Sequence, residues 1–209
     1  MSRHLLIIVC ANVVLLFGCA PAPTSHEQSA SSSASSIALS EFYNTRYQYR
    51  FQYPSTEQPV AAGMVGSAPA PEKSNDITVG GVHVVVYDQA ALKKCAESFK
   101  GNDKRFVGKA LPEFATELWH VNMSKNPDEQ KYDRELRPLT ETMLGGEAAY
   151  AFLTIHGDED PCSGMISGGE RRFIVAEYHG RMLILSYNTR DSEMAESIVA
   201  TFHFDAGGL

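Results

Sequence analysis

From Arg46 to Tyr53 the chain alternates without a break: Tyr47, Tyr49, Phe51 and Tyr53 share one parity, and Arg46, Gln48, Arg50 and Gln52 share the other. Successive side chains of a strand point to opposite faces, so this pattern predicts one half-buried strand with its aromatic face inward. A strand of this kind needs a sheet around it and an apolar layer against it. Arginines interleaved with aromatic rings could also stack on nucleic acid. The acidic balance, 25 Asp and Glu against 18 Lys and Arg, argues against that, and no nucleic-acid partner is expected.

The rest of the pattern is mixed. Residues 54 to 80 hold Pro54, Pro59, Pro69 and Pro71 and read as a long loop with one short strand near Met64. Val82 to Tyr87 is apolar on both faces and predicts a central strand, with His83 a satisfied core residue rather than a ligand. Asp88 can cap a helix carrying Leu92, Cys95, Ala96 and Phe99 on one face and closed by Gly101. A second helix is expected from Pro112 to Asn122, with Phe114, Ala115, Leu118 and Val121 inward. Residues 137 to 144 and 147 to 155 flank Gly145-Gly146, and residues 171 to 178 and 181 to 187 flank His179-Gly180, two hairpin signals. A last helix starts near Asp191 or Ser192 and is expected to bury Met194, Ile198 and Phe202. Antiparallel hairpins with helices among them indicate an α+β fold, an antiparallel β-sheet flanked by helices, over residues 41–209.

The N-terminus follows a different logic. Arg3 precedes an apolar run from Leu5 to Phe17, thirteen residues broken only by Asn12. That is too short to span a bilayer and matches a secretory signal. The run ends in Leu16-Phe17-Gly18-Cys19, which resembles the bacterial lipobox. The resemblance implies cleavage after Gly18, so that residues 1–18 are a lipoprotein signal peptide, and acylation of Cys19, which would hold the chain on a membrane through its N-terminal lipid. Ala20 in place of aspartate then implies sorting to the outer membrane, with the domain facing the periplasm. Residues 19–40 are rich in serine, alanine and proline without apolar periodicity, and are expected to form a disordered tether.

The opening strand Tyr49-Arg50-Phe51-Gln52-Tyr53-Pro54, the hairpin Leu144-Gly145-Gly146-Glu147-Ala148, the strands around His179-Gly180 and the final helix through Ile198 together resemble the PsbP-like family. That resemblance implies an antiparallel sheet sandwiched by helices over about residues 43 to 205. It also implies a family with non-catalytic members in accessory or binding roles. The long 54 to 80 loop and the acidic loop after Ile155 depart from a compact version of it, and it carries no functional residue over.

Of the four cysteines, Cys10 leaves with the signal and Cys19 takes the lipid. Cys95 and Cys162 remain as an even pair in an oxidising compartment and are expected to form a disulfide, the alternative being two buried thiols. Asp158, Glu159 and Asp160 concentrate negative charge before Cys162 and are candidates for contact with a cationic protein partner. Their spacing lacks the EF-hand layout, and the histidines at 83, 120, 156, 179 and 203 stand singly, so no metal site and no cofactor are expected. The chain has no GxSxG elbow and no phosphate-binding glycine loop, and no catalytic residue is assigned. The expectation is a lipid-anchored, non-catalytic binding or accessory lipoprotein of the cell envelope. The alternative is a lipid-anchored inhibitor or immunity protein that neutralises a basic periplasmic enzyme or toxin.

Overall fold

The computed structural model describes residues 37–62, 69–98, 103–155, 159–162, 164–165 and 169–205. Signal residues 1–18, Cys19, the tether up to residue 36, Met64, Phe99, Gly101 and Asp158 lie outside the described residues. In chain order the elements are β1 (Leu39–Asn44), β2 (Tyr49–Pro54), β3 (Val60–Ala61), β4 (Asp76–Val79), β5 (Val82–Tyr87), α1 (Gln89–Ser98), α2 (Leu111–Val121), α3 (Pro127–Leu136), β6 (Thr140–Leu144), β7 (Glu147–Thr154), β8 (Glu159–Asp160), β9 (Gly164–Met165), β10 (Arg171–Tyr178), β11 (Arg181–Asn188), α4 (Ser192–Ala200) and β12 (His203–Phe204).

Seven strands form an antiparallel sheet in the order β3-β4-β5-β11-β10-β7-β6. Both faces are covered. On one, Val85 and Tyr87 of β5, Phe152, Phe173, Val175 and Ile184 pack under α1 and α2. On the other, Val82, Val84, Val86, Ile174, Leu183 and Leu185 meet a second, three-stranded sheet of order β1-β2-β12, together with Ala195 and Ile198 of α4. The fold is therefore α+β with an antiparallel sheet at its centre, helices over one face, and a small sheet plus one helix over the other. All these pairings and both core layers lie within one compact unit, Ser36–Leu209.

Local signals explain most elements. In β5 the alternation puts Val84 and Val86 on one core and Val85 and Tyr87 on the other, which is why the run is apolar throughout. Asp88 Oδ1 accepts from the Ala91 amide at 2.7 Å and starts α1. Pro112 sits in the first turn of α2, whose buried residues are Leu111, Phe114, Ala115, Leu118 and Val121. The aromatic residues of β1 and β2 form a stack in which Phe51 lies 5.1 Å from Phe42 and 5.9 Å from Phe202, and Tyr49 lies 5.2 Å from Phe202.

Four expectations need correction. The alternating stretch is not one strand: residues 45–48 turn, and β1 pairs back on β2 with Phe42 opposite Phe51. The 54 to 80 stretch is mostly loop but carries more strand than read: β3 pairs along β4, and β4 joins the large sheet along β5, while the strand expected near Met64 lies outside the described residues. His83 is half-buried rather than in the core, with Nε2 2.7 Å from Asp76 Oδ1. Met194 is 38% exposed, and α4 instead buries Ala195 and Ile198, with Phe202 following the helix. Helix α3 is an addition to the elements read from sequence.

Candidate functional site

Three hairpin turns gather side chains from distant parts of the chain at one end of the sandwich. In the large sheet, Ala149 pairs with Ala176 and Met182 with Tyr87, so the Gly145-Gly146 and His179-Gly180 turns lie at the same end as the C-terminus of β5. The small sheet joins them there: a Cβ on Gly145 would lie 3.1 Å from the His203 Cα and 3.0 Å from the Phe204 ring.

The turn between β1 and β2 is built by Asn44, which is fully buried. Its Oδ1 accepts from the amides of Arg46 at 3.1 Å and Tyr47 at 2.9 Å, and its Nδ2 donates to the Ser74 carbonyl at 2.8 Å. Gln48 completes the turn at φ 56°, a left-handed conformation that returns the chain into β2. The result drives the Tyr47 ring inward to 7% exposure while Arg46 stays on the surface.

Two guanidinium groups attend this ring. Arg46 Cζ lies 5.1 Å and Arg181 Cζ 5.4 Å from its centroid, within cation–π range. Among the described residues neither group has a hydrogen-bond or ion-pair partner. Burial raises the Tyr47 hydroxyl pKa; the two arginines oppose that rise, and Asp88 adds to it. Beside the ring, Tyr178 stacks on Phe204 at 4.5 Å and meets the His179 ring at a tilt, 4.0 Å away, and its hydroxyl donates to the Asp205 carbonyl. Arg50 donates to the Asp205 carboxylate through Nε at 2.7 Å and through Nη2, and this contact raises the guanidinium pKa. The cavity lined by Tyr47, Tyr178, Arg181 and Phe204 holds only about 10 Å³, room for about one water and for no larger ligand.

The residues singled out from sequence lie elsewhere. Cys95 on α1 and Cys162, after β8, are joined in a disulfide. Glu159 and Asp160 form β8, opposite Met165 and Gly164 of β9. Their loop leaves β7 at the end opposite the Gly145-Gly146 turn, so the structure does not bring the acidic residues and the arginine pair together. Asp158 and Cys19 are outside the described residues. Among the described residues no group of three His, Cys, Asp or Glu side chains could hold a metal ion. No described helix is long and apolar enough to cross a membrane.

Buried polar side chains serve the fold. Thr154 Oγ1 donates to the Asn122 carbonyl at 2.6 Å, and Asn122 Nδ2 donates to the Leu118 carbonyl at 2.9 Å. The Tyr187 hydroxyl donates to Glu196 Oε1 at 2.5 Å; burial first, then this carboxylate, pushes its pKa well above the ordinary tyrosine range. Sequence reading missed Arg46, Tyr47 and Arg181 as a unit. Arg46 looked like one more polar position on a strand, and Arg181 is 135 residues away, so only strand pairing brings them to one ring.

The sequence matches no known protein-family model and no curated protein. Among solved structures it is similar to the solution structure of cyanobacterial PsbP (CyanoP) from Synechocystis sp. PCC 6803, at 12% identity and a TM-score of 0.42 over 83% of this chain and 96% of that one. It is also similar to a crystal structure from Bacteroides thetaiotaomicron VPI-5482, at 9% identity and a TM-score of 0.40 over 81% of this chain. This chain spans 49% of that second protein.

Proposed function

We propose that the chain is a lipid-anchored lipoprotein of the bacterial outer membrane whose α+β domain, facing the periplasm, acts as a non-catalytic binding or accessory module of the envelope. The observation that carries the binding role is the hairpin-turn end, where Arg46 and Arg181 present unpaired guanidinium groups around a fixed tyrosine. Arginine and tyrosine held in place by packing are the side chains that most often dominate binding surfaces. The lipobox-like Leu16-Phe17-Gly18-Cys19 supports the anchor.

A Cys19→Ala variant tests the anchor. It should move from the detergent phase to the aqueous phase on phase separation, and wild-type partitioning by the variant would overturn the assignment. Pull-down from envelope extracts with wild type and with Arg46→Gln/Arg181→Gln tests the binding role, which requires that the variant lose what wild type captures.

One observation favours a second reading, inhibition of a basic enzyme or toxin: the disulfide at Cys162 braces the β8–β9 hairpin that carries Glu159 and Asp160. Capture of one stoichiometric basic protein, lost on Asp158→Asn/Glu159→Gln/Asp160→Asn, would establish it. Capture unchanged by those substitutions would end it.

A further inference from the structure

We infer that the outer face of the small sheet carries a shallow site for one ring of a neutral sugar. The inference gives the proposed binding role a ligand class. It rests on that role being binding rather than catalysis, and it needs neither the lipid anchor nor the Arg46 and Arg181 pair.

The site follows from strand parity. Phe42, Tyr49 and Phe51 turn into the core, so Glu41, Tyr43, Arg50 and Gln52 point to the opposite face, where all four are exposed. Register brings them together: Arg50 has Tyr43 on one side and the exposed His203 on the other, and Glu41 stands opposite Gln52. This face holds a hollow of about 210 Å³ lined by Glu41, Arg50, Gln52, Thr201 and His203. Thr201 makes one wall, and its Oγ1 accepts from the Gln52 amide at 2.9 Å, which ties the end of α4 to β2. Asp205 holds Arg50 through Nε at 2.7 Å and through Nη2, which leaves Nη1 for a ligand. Among the described residues the side chains of Glu41, Gln52 and His203 make no hydrogen bond.

Charge and chemistry select the occupant. The charges at the hollow are Arg50 against Asp205 and Glu41, and Glu147, beside the Gly145-Gly146 turn that meets His203, adds a further negative one, so an anion is repelled. Arg46 and Arg181 attend the Tyr47 ring and do not line the hollow. A simple cation would use Glu41 and leave the donors of Arg50 and Gln52 unmatched. A sugar hydroxyl both donates and accepts, and here the Glu41 carboxylate and the Gln52 Oε1 accept beside the donors Arg50 Nη1 and Gln52 Nε2. The Tyr43 ring, 41% exposed, offers an apolar face to the C–H groups of a pyranose. A protein partner anchors on large apolar side chains in a desolvated pocket, but Phe51 is buried behind the hollow and only Ala200 adds an apolar side chain to its surface. The volume is below the about 300–1,000 Å³ that encloses a drug-sized ligand. One ring is therefore held, with an affinity on the order of millimolar.

The test uses the full chain in a detergent without a sugar headgroup, titrated with chitotetraose and with maltotetraose and followed by ligand-observed NMR. Saturable binding of at least one neutral sugar is expected, and raised salt should leave it unchanged. Glu41→Ala/Gln52→Ala, which removes two exposed side chains without partners of their own, should weaken binding by about tenfold or more. Tyr43→Phe should retain it and Tyr43→Ser should weaken it several-fold, because the ring and not the hydroxyl carries the contact. Arg46→Gln/Arg181→Gln should bind as wild type does. No saturable binding of either sugar, or wild-type binding by Glu41→Ala/Gln52→Ala, would overturn the proposal. So would tighter, salt-sensitive binding of fully deacetylated chitotetraose, which marks a cation site, or loss of binding in Arg46→Gln/Arg181→Gln, which moves the sugar to the Tyr47 turn. Capture of an envelope protein that Glu41→Ala/Gln52→Ala loses, without sugar binding, would assign the face to a protein and reject the sugar. The binding role read from Arg46 and Arg181 has its own pull-down, so either idea can fail alone.

Discussion

Cys95, in the last turns of α1, is bonded to Cys162, in the turn that connects β8 to β9, with Cα atoms 5.4 Å apart and a sequence separation of 67. The bond closes a loop that contains α2, α3, β6, β7 and β8, and it ties the β8–β9 hairpin to α1. Restricting an unfolded chain over that separation is worth about 4 kcal/mol in the chain-entropy account. A Cys95→Ser/Cys162→Ser variant should therefore unfold at markedly lower denaturant than the oxidised protein, by about that free energy. Reduced wild type should match the variant. Equal stability of oxidised and reduced protein in urea titration would show that the bond does not constrain the domain.

Gly145 and Gly146 form the β6–β7 turn with φ of 59° and 92°, but they face different surroundings. A Cβ on Gly145 would come within 3.1 Å of both the His203 Cα and the Phe204 amide nitrogen, backbone that cannot rotate away, whereas one on Gly146 meets open space. Gly146→Ala should cost only the left-handed strain, about 1–2 kcal/mol. Gly145→Ala adds the clash and should cost more, about 2–4 kcal/mol. Thermal unfolding of the two variants decides the matter. Equal losses would mean that β12 does not close over this turn.

The α+β class was legible because the strongest signals are local. Val82 to Tyr87, the two glycine-marked hairpins and the stripe Phe114-Ala115-Leu118-Val121 each carry their own periodicity and punctuation. Other elements were masked by context. The aromatic parity ran on through the β1–β2 turn because Tyr47, although outside any strand, still points into the core. Strand β4, with Ile77 and Val79 inward, sits behind a run of prolines that read as loop. Helix α3 has no apolar stripe at all. Its one buried residue is Asp133, and Tyr132 and Leu136 are exposed, so only its cap signals, Asn126 and Pro127, identify it. The candidate site was illegible for a different reason: Arg46 and Arg181 meet only because two sheets stack, and no local pattern encodes that contact.

Helix α3 depends on its polar frame. Asp133 accepts from Arg137 Nη1 at 2.7 Å and from the Ser124 amide at 3.1 Å, while Asn126 Oδ1 caps the helix through the Asp128 amide at 3.1 Å. Removing the carboxylate strands a buried amide and the inner side of a guanidinium. Asp133→Ala should cost about 3 kcal/mol. Asn126→Ala, which removes a single cap, should cost about 1 kcal/mol. A urea midpoint for Asp133→Ala no lower than that for Asn126→Ala would show that the α2–α3 corner draws its stability from elsewhere.

Buried tyrosines set the alkaline limit of the fold. Burial pushes the hydroxyl pKa of Tyr49 far above the ordinary tyrosine value, opposed by the Asn44 amide at 3.4 Å, and burial with Glu196 does the same for Tyr187. Below about pH 10, the unfolded tyrosine value, both states hold these protons and the contribution is constant. Above it the unfolded chain releases them while the folded protein keeps them, so fewer protons are bound in the unfolded state and stability falls as pH rises. The domain should therefore show no dependence on these groups at neutral pH and a steep loss above about pH 10. Tyr49→Phe and Tyr187→Phe should each make that alkaline slope shallower by up to one proton, whatever they do to stability at neutral pH. Unfolding titrations at successive pH values measure the slope, and an unchanged slope in both variants would mean that neither hydroxyl is protected by the fold.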